Sequence, residues 1–545
     1  MDQYHVSTDR KPPSEKEQEI EQVHIEKIAT QKDAISHEEP VWKEFLRNPK
    51  VILLCLFANV GAFMYGYDNL SLSLCLSMPP FQAEFGTLVN GQYLIAAYWQ
   101  SLWNAVAQIG TMTGAGIAGT FQDRFGRRYS FIIGAIISVI GVAVVYISTS
   151  PGVFLAGKTI NGIALGMCLT TGQTYVSEIS PLRIRGMMLG VYTIALNLGT
   201  LIAASVAFSR ISIMTQSAYK VMFALEWIWP GLIIIFGLLI PESPYFLVRA
   251  GKNGDAGRLL KRILPASTDT TVELDHIVSL KGREDILYAM AKKTGFWDCF
   301  KGTNWRRTRI IVYCNALPQM IGTAFLTNGP YFMIQAGMTP SNASMIIEIG
   351  IVACKEFEYS LEDADLGLRN PSIGVASGIL TLWLIGFVGR RKIVLSGVSI
   401  ATLLFMVMGI AGCFPHSPKA LWAVGICLQL VWCTLGPAVG PSMAISGEIS
   451  EVRLRAKSQA IGFAFNYFWS TVWNVVIPYM FNSDQGNLGG YMGWIFFATS
   501  LISLVVIFFE FPETKDIPYE VMDEMFELKV PARKFKEFGV EDVTN

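Results

Sequence analysis

The sequence predicts an all-α integral membrane protein of twelve transmembrane helices in two six-helix bundles, with the eighth helix interrupted by a polar insertion. Three observations predict it. Of 545 residues, 52% are hydrophobic and only 16% charged, where a soluble domain carries about a quarter charged residues. The charge is gathered into a few stretches, leaving apolar runs of the roughly 20 residues that cross about 30 Å of hydrocarbon. Third, a set of short motifs occurs twice. The first copy is Asp123-Arg-Phe-Gly-Arg-Arg128, Glu178-Ile-Ser-Pro-Leu-Arg183-Ile-Arg185 and Pro241-Glu-Ser-Pro244. The second is Gly389-Arg-Arg391, Glu448-Ile-Ser-Glu-Val-Arg453-Leu-Arg455 and Pro512-Glu-Thr514. Gly126 and Gly389 are 263 residues apart, Glu178 and Glu448 are 270 apart, and Pro241 and Pro512 are 271 apart. A near-constant offset marks the duplication of one half-chain in the same direction.

In chain order, residues 1–49 are polar and charged, with no apolar core of a signal peptide. They are expected to form a disordered cytosolic tail, the first transmembrane helix acting as targeting signal. Apolar runs follow at 51–76, 92–118, 130–149, 153–175, 187–208, 221–240, 309–334, 393–414, 420–446, 459–480 and 491–511. The first six make an N-terminal bundle, 50–241, and the later ones a C-terminal bundle, 309–511. Between them, the linker 242–308 carries apolar residues at helical spacing (Leu259, Leu260, Ile263; Leu274, Ile277, Leu280), so short amphipathic helices are expected on the cytosolic face. A cytosolic tail, 512–545, ends the chain.

The twelfth run belongs between 342 and 388, where the pattern breaks. The mostly apolar stretch 343–351 is followed by Lys355-Glu-Phe-Glu-Tyr-Ser-Leu-Glu-Asp-Ala-Asp365, and only then by the apolar 374–388. At about +2.5 to +3.5 kcal/mol for each Asp or Lys near the membrane centre, the acidic stretch does not cross a bilayer. Removing 352–373 joins the apolar pieces into a helix of ordinary length. The segment therefore reads as an insertion, of the kind a retained intron leaves, and a transport-impaired product is one consequence to test. Asn342-Ala-Ser344 is a glycosylation sequon on a predicted outer loop.

Basic residues occupy alternate loops: Arg124, Arg127 and Arg128; Arg183 and Arg185; the 242–308 linker; Arg390, Arg391 and Lys392; Arg453, Arg455 and Lys457. By the positive-inside rule these loops and both termini are cytosolic in a multi-pass protein, with the plasma membrane as expected location. Other classes are disfavoured. The formal net charge is zero, so nothing points to nucleic acid. Nine cysteines are scattered without a CxxC pair and read as small buried hydrophobes. No His, Cys or carboxylate cluster has metal-ligand spacing, and no nucleophile–base pair occurs in the helices. No metal, no cofactor and no enzymatic activity are expected, and a monomer in the lipid bilayer is. A transporter-like sensor would call for a longer cytosolic tail.

Candidate functional residues follow from the same pattern. Glycine permits a tight turn between two helices, and arginines there can pair with carboxylates on neighbouring helix ends. Asp123, Arg124, Gly126, Arg127, Arg128, Glu178 and Arg185 are thus expected to form a cytosolic gate, with Arg390, Arg391, Glu448 and Arg455 as its second copy. In the second copy Gly386 and Phe387 replace the Asp and Arg that open the turn. Asp68 stands in an otherwise apolar stretch, and a carboxylate within the membrane marks a functional site. The pairs Gly110/Gly114 and Gly162/Gly166 suit close helix packing.

Gly66-Tyr67-Asp68, Asp123–Arg128, Glu178–Gly186, Pro241–Leu247, Gly389–Arg391, Glu448–Lys457 and Pro512–Thr514 together resemble the sugar porter branch of the major facilitator superfamily, over about residues 50 to 530. Met78–Gly86 and Val530–Phe535 resemble fungal members such as maltose and other glycoside permeases. The resemblance implies a transporter of sugars or glycosides working by alternating access, with proton symport. It places the proton site at Asp68, paired with a basic residue that falls on Lys158, a lysine where the family has arginine. It puts substrate contacts at Gln319, Asn466 and Tyr467, with Asn328 one turn beyond the family's asparagine position, which here is Ala324. The family's two amides on the fifth helix fall on Thr193 and Thr200, its second amide on the seventh helix on Pro318, and its aromatic on the tenth on Met443. These departures leave open a non-sugar metabolite carried by the same scaffold.

Overall fold

The computed structural model describes residues 47–89, 92–210, 213–264, 270–275, 277–279, 281–282, 295–335, 388–414, 417–451, 454–482, 485–515, 517 and 519–535. The N-terminal tail before residue 47, the eighth span with the suspected insertion 352–373, and the Asn342 sequon lie outside the described residues.

Ten of the eleven apolar runs fall on a helix or a broken helix, and the run 92–118 begins on the strand Gln92–Leu94 before its helix. The first span is Pro49–Ala58 and Val60–Leu76, the second Ala97–Phe125, the third Arg127–Ile147, the fourth Pro151–Ile179, the fifth Leu182–Arg210, and the sixth Ser217–Glu226 with Ile228–Leu239. The seventh is broken twice, into Gly302–Met320, Thr323–Thr327 and Gly329–Gln335; the ninth to twelfth are Arg390–Gly412, Pro418–Ile449, Arg455–Phe481 and Met492–Glu510. Among the described residues, nine of these spans are long and apolar enough to cross a membrane by composition alone. The second falls short because Gln100, Asn104, Gln108, Thr111 and Gln122 punctuate it, and on the fifth the stretch Ile194–Ala207 is apolar. A two-stranded hairpin, Thr87–Val89 with Gln92–Leu94, caps the N-terminal half next to a cluster of aromatic rings from Phe81, Phe85, Trp103, Phe154 and Tyr219.

Local chemistry sets the ends. Pro151 opens the fourth span with Ser150 as its cap, the Ser150 hydroxyl accepting from the Val153 amide at 3.4 Å. The seventh span starts at Gly302, ahead of the apolar run at 309, because the arginines of its first turns find partners. Arg307 pairs with Asp523 and Arg309 with Glu510. Asp523 belongs to Tyr519–Glu527, a helix that buries Met522, Met525 and Phe526 and lays the Phe526 ring under Arg306 and Arg307. In the linker, helices Pro244–Arg249 and Asn253–Ile263 build a small core from Val248, Ala256, Leu260 and Ile277, in keeping with the amphipathic pattern read from the sequence.

Packing within the N-terminal half rests on backbone proximity. A Cβ added at Gly114 would overlap the carbonyl oxygen of Ile163, and one at Gly166 the carbonyl oxygen of Thr111. The second and fourth spans thus meet glycine to backbone, at a separation where no side chain fits. A methyl added at Gly116 or Gly119, on the same helix, would have nothing within 4 Å. Gly114→Ala should therefore lower the melting temperature of the detergent-solubilised protein, by an amount equivalent to about 1–3 kcal/mol of overpacking. Gly116→Ala should leave it nearly unchanged, and equal shifts for the two would contradict this packing.

Candidate functional site

Among the described residues, the largest concentration of buried charge is in the N-terminal half. Lys158 Nζ donates to Asp68 Oδ1 at 2.6 Å. Asn161 Nδ2 donates to the same oxygen at 3.0 Å and to Glu226 Oε1 at 2.7 Å, while Ser138 Oγ donates to Asn161 Oδ1 at 2.8 Å. Asp68 is 6% exposed and Lys158, Asn161 and Glu226 are each 1% exposed. The first, third, fourth and sixth spans are therefore tied by one cation, two carboxyls and the amide between them. Tyr67 fixes the neighbouring turn by donating its hydroxyl to the Met222 carbonyl at 2.9 Å. Sequence reasoning brought forward Asp68 and Lys158 and missed Asn161 and Glu226. The signal for Glu226 was present, since it is a carboxylate inside the apolar run 221–240.

The duplicated motifs form two corresponding constellations at the end of the spans that carries the basic loops. Arg127 Nη2 meets Glu178 Oε1 at 2.6 Å, and Asp123 lies 3.5 Å from the same guanidinium nitrogen. In the other half Arg390 Nη1 meets Glu448 Oε2 at 2.7 Å. A second carboxylate completes each copy. Glu242 Oε1 accepts from the Arg127 backbone N–H at 2.8 Å, and Glu513 Oε1 from that of Arg390 at 2.9 Å. Each carboxylate thus neutralises the free amides at the start of a helix, where the helix dipole favours an anion. A Cβ at Gly126 would overlap the Glu242 carboxylate and one at Gly389 that of Glu513, and Gly126 also has φ +96°. The positive φ calls for glycine in the first copy, and in both copies the missing side chain leaves room for the carboxylate. Arg128 donates to the carbonyls of Gly237 and Leu238, and Arg391 to that of Phe508, closing the ends of the sixth and twelfth spans. Arg124 lies over the Phe125 ring. Asp123 also receives Arg249 at 3.2 Å, a contact without a counterpart because Gly386 replaces the aspartate. The side chains of Arg185 and Arg455 lie outside the described residues. Glu242 and Glu513 belong to these constellations; the Pro-Glu repeat pointed to them and sequence reasoning left them without a role.

A third group faces the middle depth of the helices. Pro318 and the Gly322 turn at φ +83° interrupt the seventh span just around Gln319. Gln319 Nε2 donates to Asn466 Oδ1 at 3.0 Å, while its Oε1 is buried without a partner and the residue is 9% exposed. Tyr467 follows Asn466 and is half-buried. The structure directs two other candidates elsewhere. Asn328 Nδ2 donates to the Ala324 carbonyl at 2.9 Å and Thr200 Oγ1 to that of Asn197 at 2.7 Å, each within its own helix. The side chain of Thr193 lies outside the described residues. Among those described, no three His, Cys, Asp or Glu residues group as a metal site.

The two halves of the chain are joined at the end opposite the basic loops. Gln100 Nε2 donates to the Ile95 carbonyl at 2.8 Å and to the Tyr331 hydroxyl at 3.1 Å. Asn482 Oδ1 accepts from the Tyr331 hydroxyl at 3.3 Å, and Asn482 Nδ2 donates to Ile95 O at 3.3 Å. Ser101 Oγ adds a bond to the Val475 carbonyl at 2.8 Å. All of these polar side chains are buried, so the contact excludes water.

The sequence pattern of the family described as "Sugar (and other) transporter" matches residues 54–356 and 372–526. Among curated proteins, the chain is 29% identical over 497 residues to the MFS transporter fmqE of Aspergillus fumigatus, covering 89% of this chain and 88% of that one. It is 29% identical over 498 residues to the general alpha-glucoside permease of Saccharomyces cerevisiae, covering 90% and 77%. Its fold is similar to that of the E. coli xylose transporter XylE in an inward open conformation, at TM-score 0.66 and 19% identity over 87% of this chain and 99% of the other. The same protein, described as a proton:xylose symporter and bound to 6-bromo-6-deoxy-D-glucose, gives TM-score 0.64 and 19% identity over 88% and 100%. With the greater part of its length matched, the chain belongs to the sugar transporter family of the major facilitator superfamily.

Proposed function

We propose that this transporter takes up a sugar or glycoside in symport with a proton, from the plasma membrane, with the basic loops and both termini in the cytosol. The observation that carries the proton coupling is the enclosed group of Asp68, Lys158 and Glu226. One ammonium faces two carboxyls in surroundings where an unbalanced charge costs several kcal/mol. The group is neutral when one carboxyl holds a proton. A proton on Asp68 weakens its bond to Lys158 and so the tie between the first and fourth spans. Exchange between states open to either side is thereby biased by protonation.

Gln319 Oε1 supplies an unpaired acceptor for a substrate hydroxyl, and the break in the seventh span beside it gives the local freedom that closure around a solute needs. The Arg127–Glu178 and Arg390–Glu448 pairs hold the span ends together within each half at the cytosolic side. The Gln100–Tyr331–Asn482 contact holds the two halves together at the outer side. The alpha-glucoside permease among the relatives supports a glycoside, and the proton:xylose symporter among similar folds supports the coupling. A second reading, a non-sugar metabolite, is favoured by Thr200, Pro318 and Met443 standing where the family carries amides and an aromatic. The family match passes over residues 357–371, which supports reading 352–373 as an insertion.

Uptake of labelled glycosides by transporter-null cells should be faster at acidic than at neutral pH, and Asp68→Asn should remove both the pH dependence and uphill accumulation. Uptake that keeps its pH dependence in that variant contradicts the role of Asp68. Asn482→Ala deletes hydrogen bonds worth about 0.5–1.5 kcal/mol each. It should raise several-fold the rate at which an impermeant maleimide labels Leu94→Cys from outside, on a cysteine-free background. Deleting 352–373 should raise uptake per surface molecule; a loss of uptake would show the segment to be part of the working protein.

A further inference from the structure

At the basic end of the C-terminal half, two guanidiniums form no ion pair among the described residues. Arg533 lies in the short helix Ala532–Lys534 and is exposed. Its guanidinium carbon stands 4.9 Å from the centre of the Phe508 ring and 4.5 Å from that of Phe509. Arg391 reaches the Phe508 ring as well, at 5.9 Å, and donates to the Phe508 carbonyl at 2.7 Å, while its Nε is buried without a partner. The carboxylates of the same region are committed elsewhere. Glu510 holds Arg309 through two bonds, and Glu513 accepts from the backbone amides of Arg390 and Lys515. Buried contacts set where Arg533 stands. Arg306 donates to the Val530 carbonyl at 2.8 Å and faces the rings of Phe526 and Phe535, and Phe535 is fully buried.

Phe508 and Phe509 are 44% and 53% exposed in the last turn of the twelfth span, at the depth where aromatic rings meet lipid headgroups. On the same helix Val506 joins Ile310 and Tyr313 of the seventh span in lining a cleft, with the Arg309–Glu510 pair at one end of it. A soluble anion would match the guanidiniums and leave the rings and the cleft uncovered. A neutral lipid would cover the rings and leave two cations unmatched. An amphipathic anion matches both. We propose that Arg391, Arg533 and the rings of Phe508 and Phe509 bind an anionic phospholipid of the leaflet at the basic-loop end. Its phosphate accepts from the unused N–H groups of both guanidiniums, whose planar forks suit a phosphate. An acyl chain runs from Phe509 along the cleft of Val506, Ile310 and Tyr313. The lipid thereby fastens the C-terminal tail to the ninth and twelfth spans, whatever solute the protein carries.

Full-length protein in tetraethylene glycol monooctyl ether, a detergent without a sugar headgroup, provides the test. It is titrated with palmitoyl-oleoyl phosphatidylserine and with the phosphatidylcholine of the same chains, and bound lipid is counted by native mass spectrometry. Phosphatidylserine should bind at least about fivefold more tightly. Arg533→Gln should cut that preference to below about twofold. Lys529→Gln removes a charge from the same exposed stretch of tail and should preserve the preference. Phosphatidylcholine binding should be unchanged in Arg533→Gln, which separates loss of the headgroup contact from a loosened tail. Equal affinity for the two lipids, an equal loss in Lys529→Gln, or an equal fall of both lipids in Arg533→Gln overturns the site. Binding of glycerophosphoserine, the headgroup without chains, as tightly as the whole lipid also overturns it, since the ligand would then be a soluble phosphate.

Discussion

Charge buried among apolar helices has to be balanced, and the N-terminal half is organised around one such balance. Lys158 stands between spans that could not accommodate an isolated ammonium, where unpaired burial costs several kcal/mol. Its bond to Asp68 and the shared amide of Asn161 bring Glu226 into the same group. Removing Lys158 leaves two carboxyls enclosed without a cation, and removing Asp68 takes away the carboxylate bonded to the ammonium. The close glycine-to-backbone contacts of the second and fourth spans, and of the first with the fifth at Gly66, deliver these side chains to one point. Packing and electrostatics are thus two sides of one constraint: helices that approach this closely have room only for side chains that satisfy each other.

The basic end shows the same economy in duplicate. In each half a carboxylate from the sequence Pro-Glu reaches the first amides of a neighbouring helix beside a glycine, and an arginine next to that glycine pairs with the glutamate of Glu-Ile-Ser. These bonds stay within a half and make each half a unit. The bonds at the other end run between halves. In the proposed alternating-access cycle, the contact at that end opens while the basic ends approach. The departure of the second copy, Gly386 for the aspartate of the first, removes the contact that Asp123 makes with Arg249 and leaves the Arg390–Glu448 pair intact.

The fold was legible in the sequence because membrane helices are specified by composition over long runs, and the duplication gave the two halves independently. Boundaries were less legible where charged residues find partners distant in sequence. Arg307 and Arg309 lie in the first turns of the seventh span only because Asp523 and Glu510 meet them there. At the site, Asp68 was legible as a lone carboxylate and Lys158 through family resemblance. Glu226 satisfied the same criterion as Asp68, and its pairing through Asn161 depends on a convergence of helices that no local pattern encodes. Asn328 and Thr200 show the reverse: an amide or hydroxyl at a plausible position turns to its own helix backbone, a competition that sequence spacing does not reveal.

The proposed coupling of substrate movement to this buried charge group has a direct readout in the proton itself. Adding a transported glycoside to a lightly buffered suspension of cells producing the protein should alkalinise the medium in proportion to uptake, and a protonophore should abolish the response. Glycoside uptake at the same rate with no change in external pH would contradict the account.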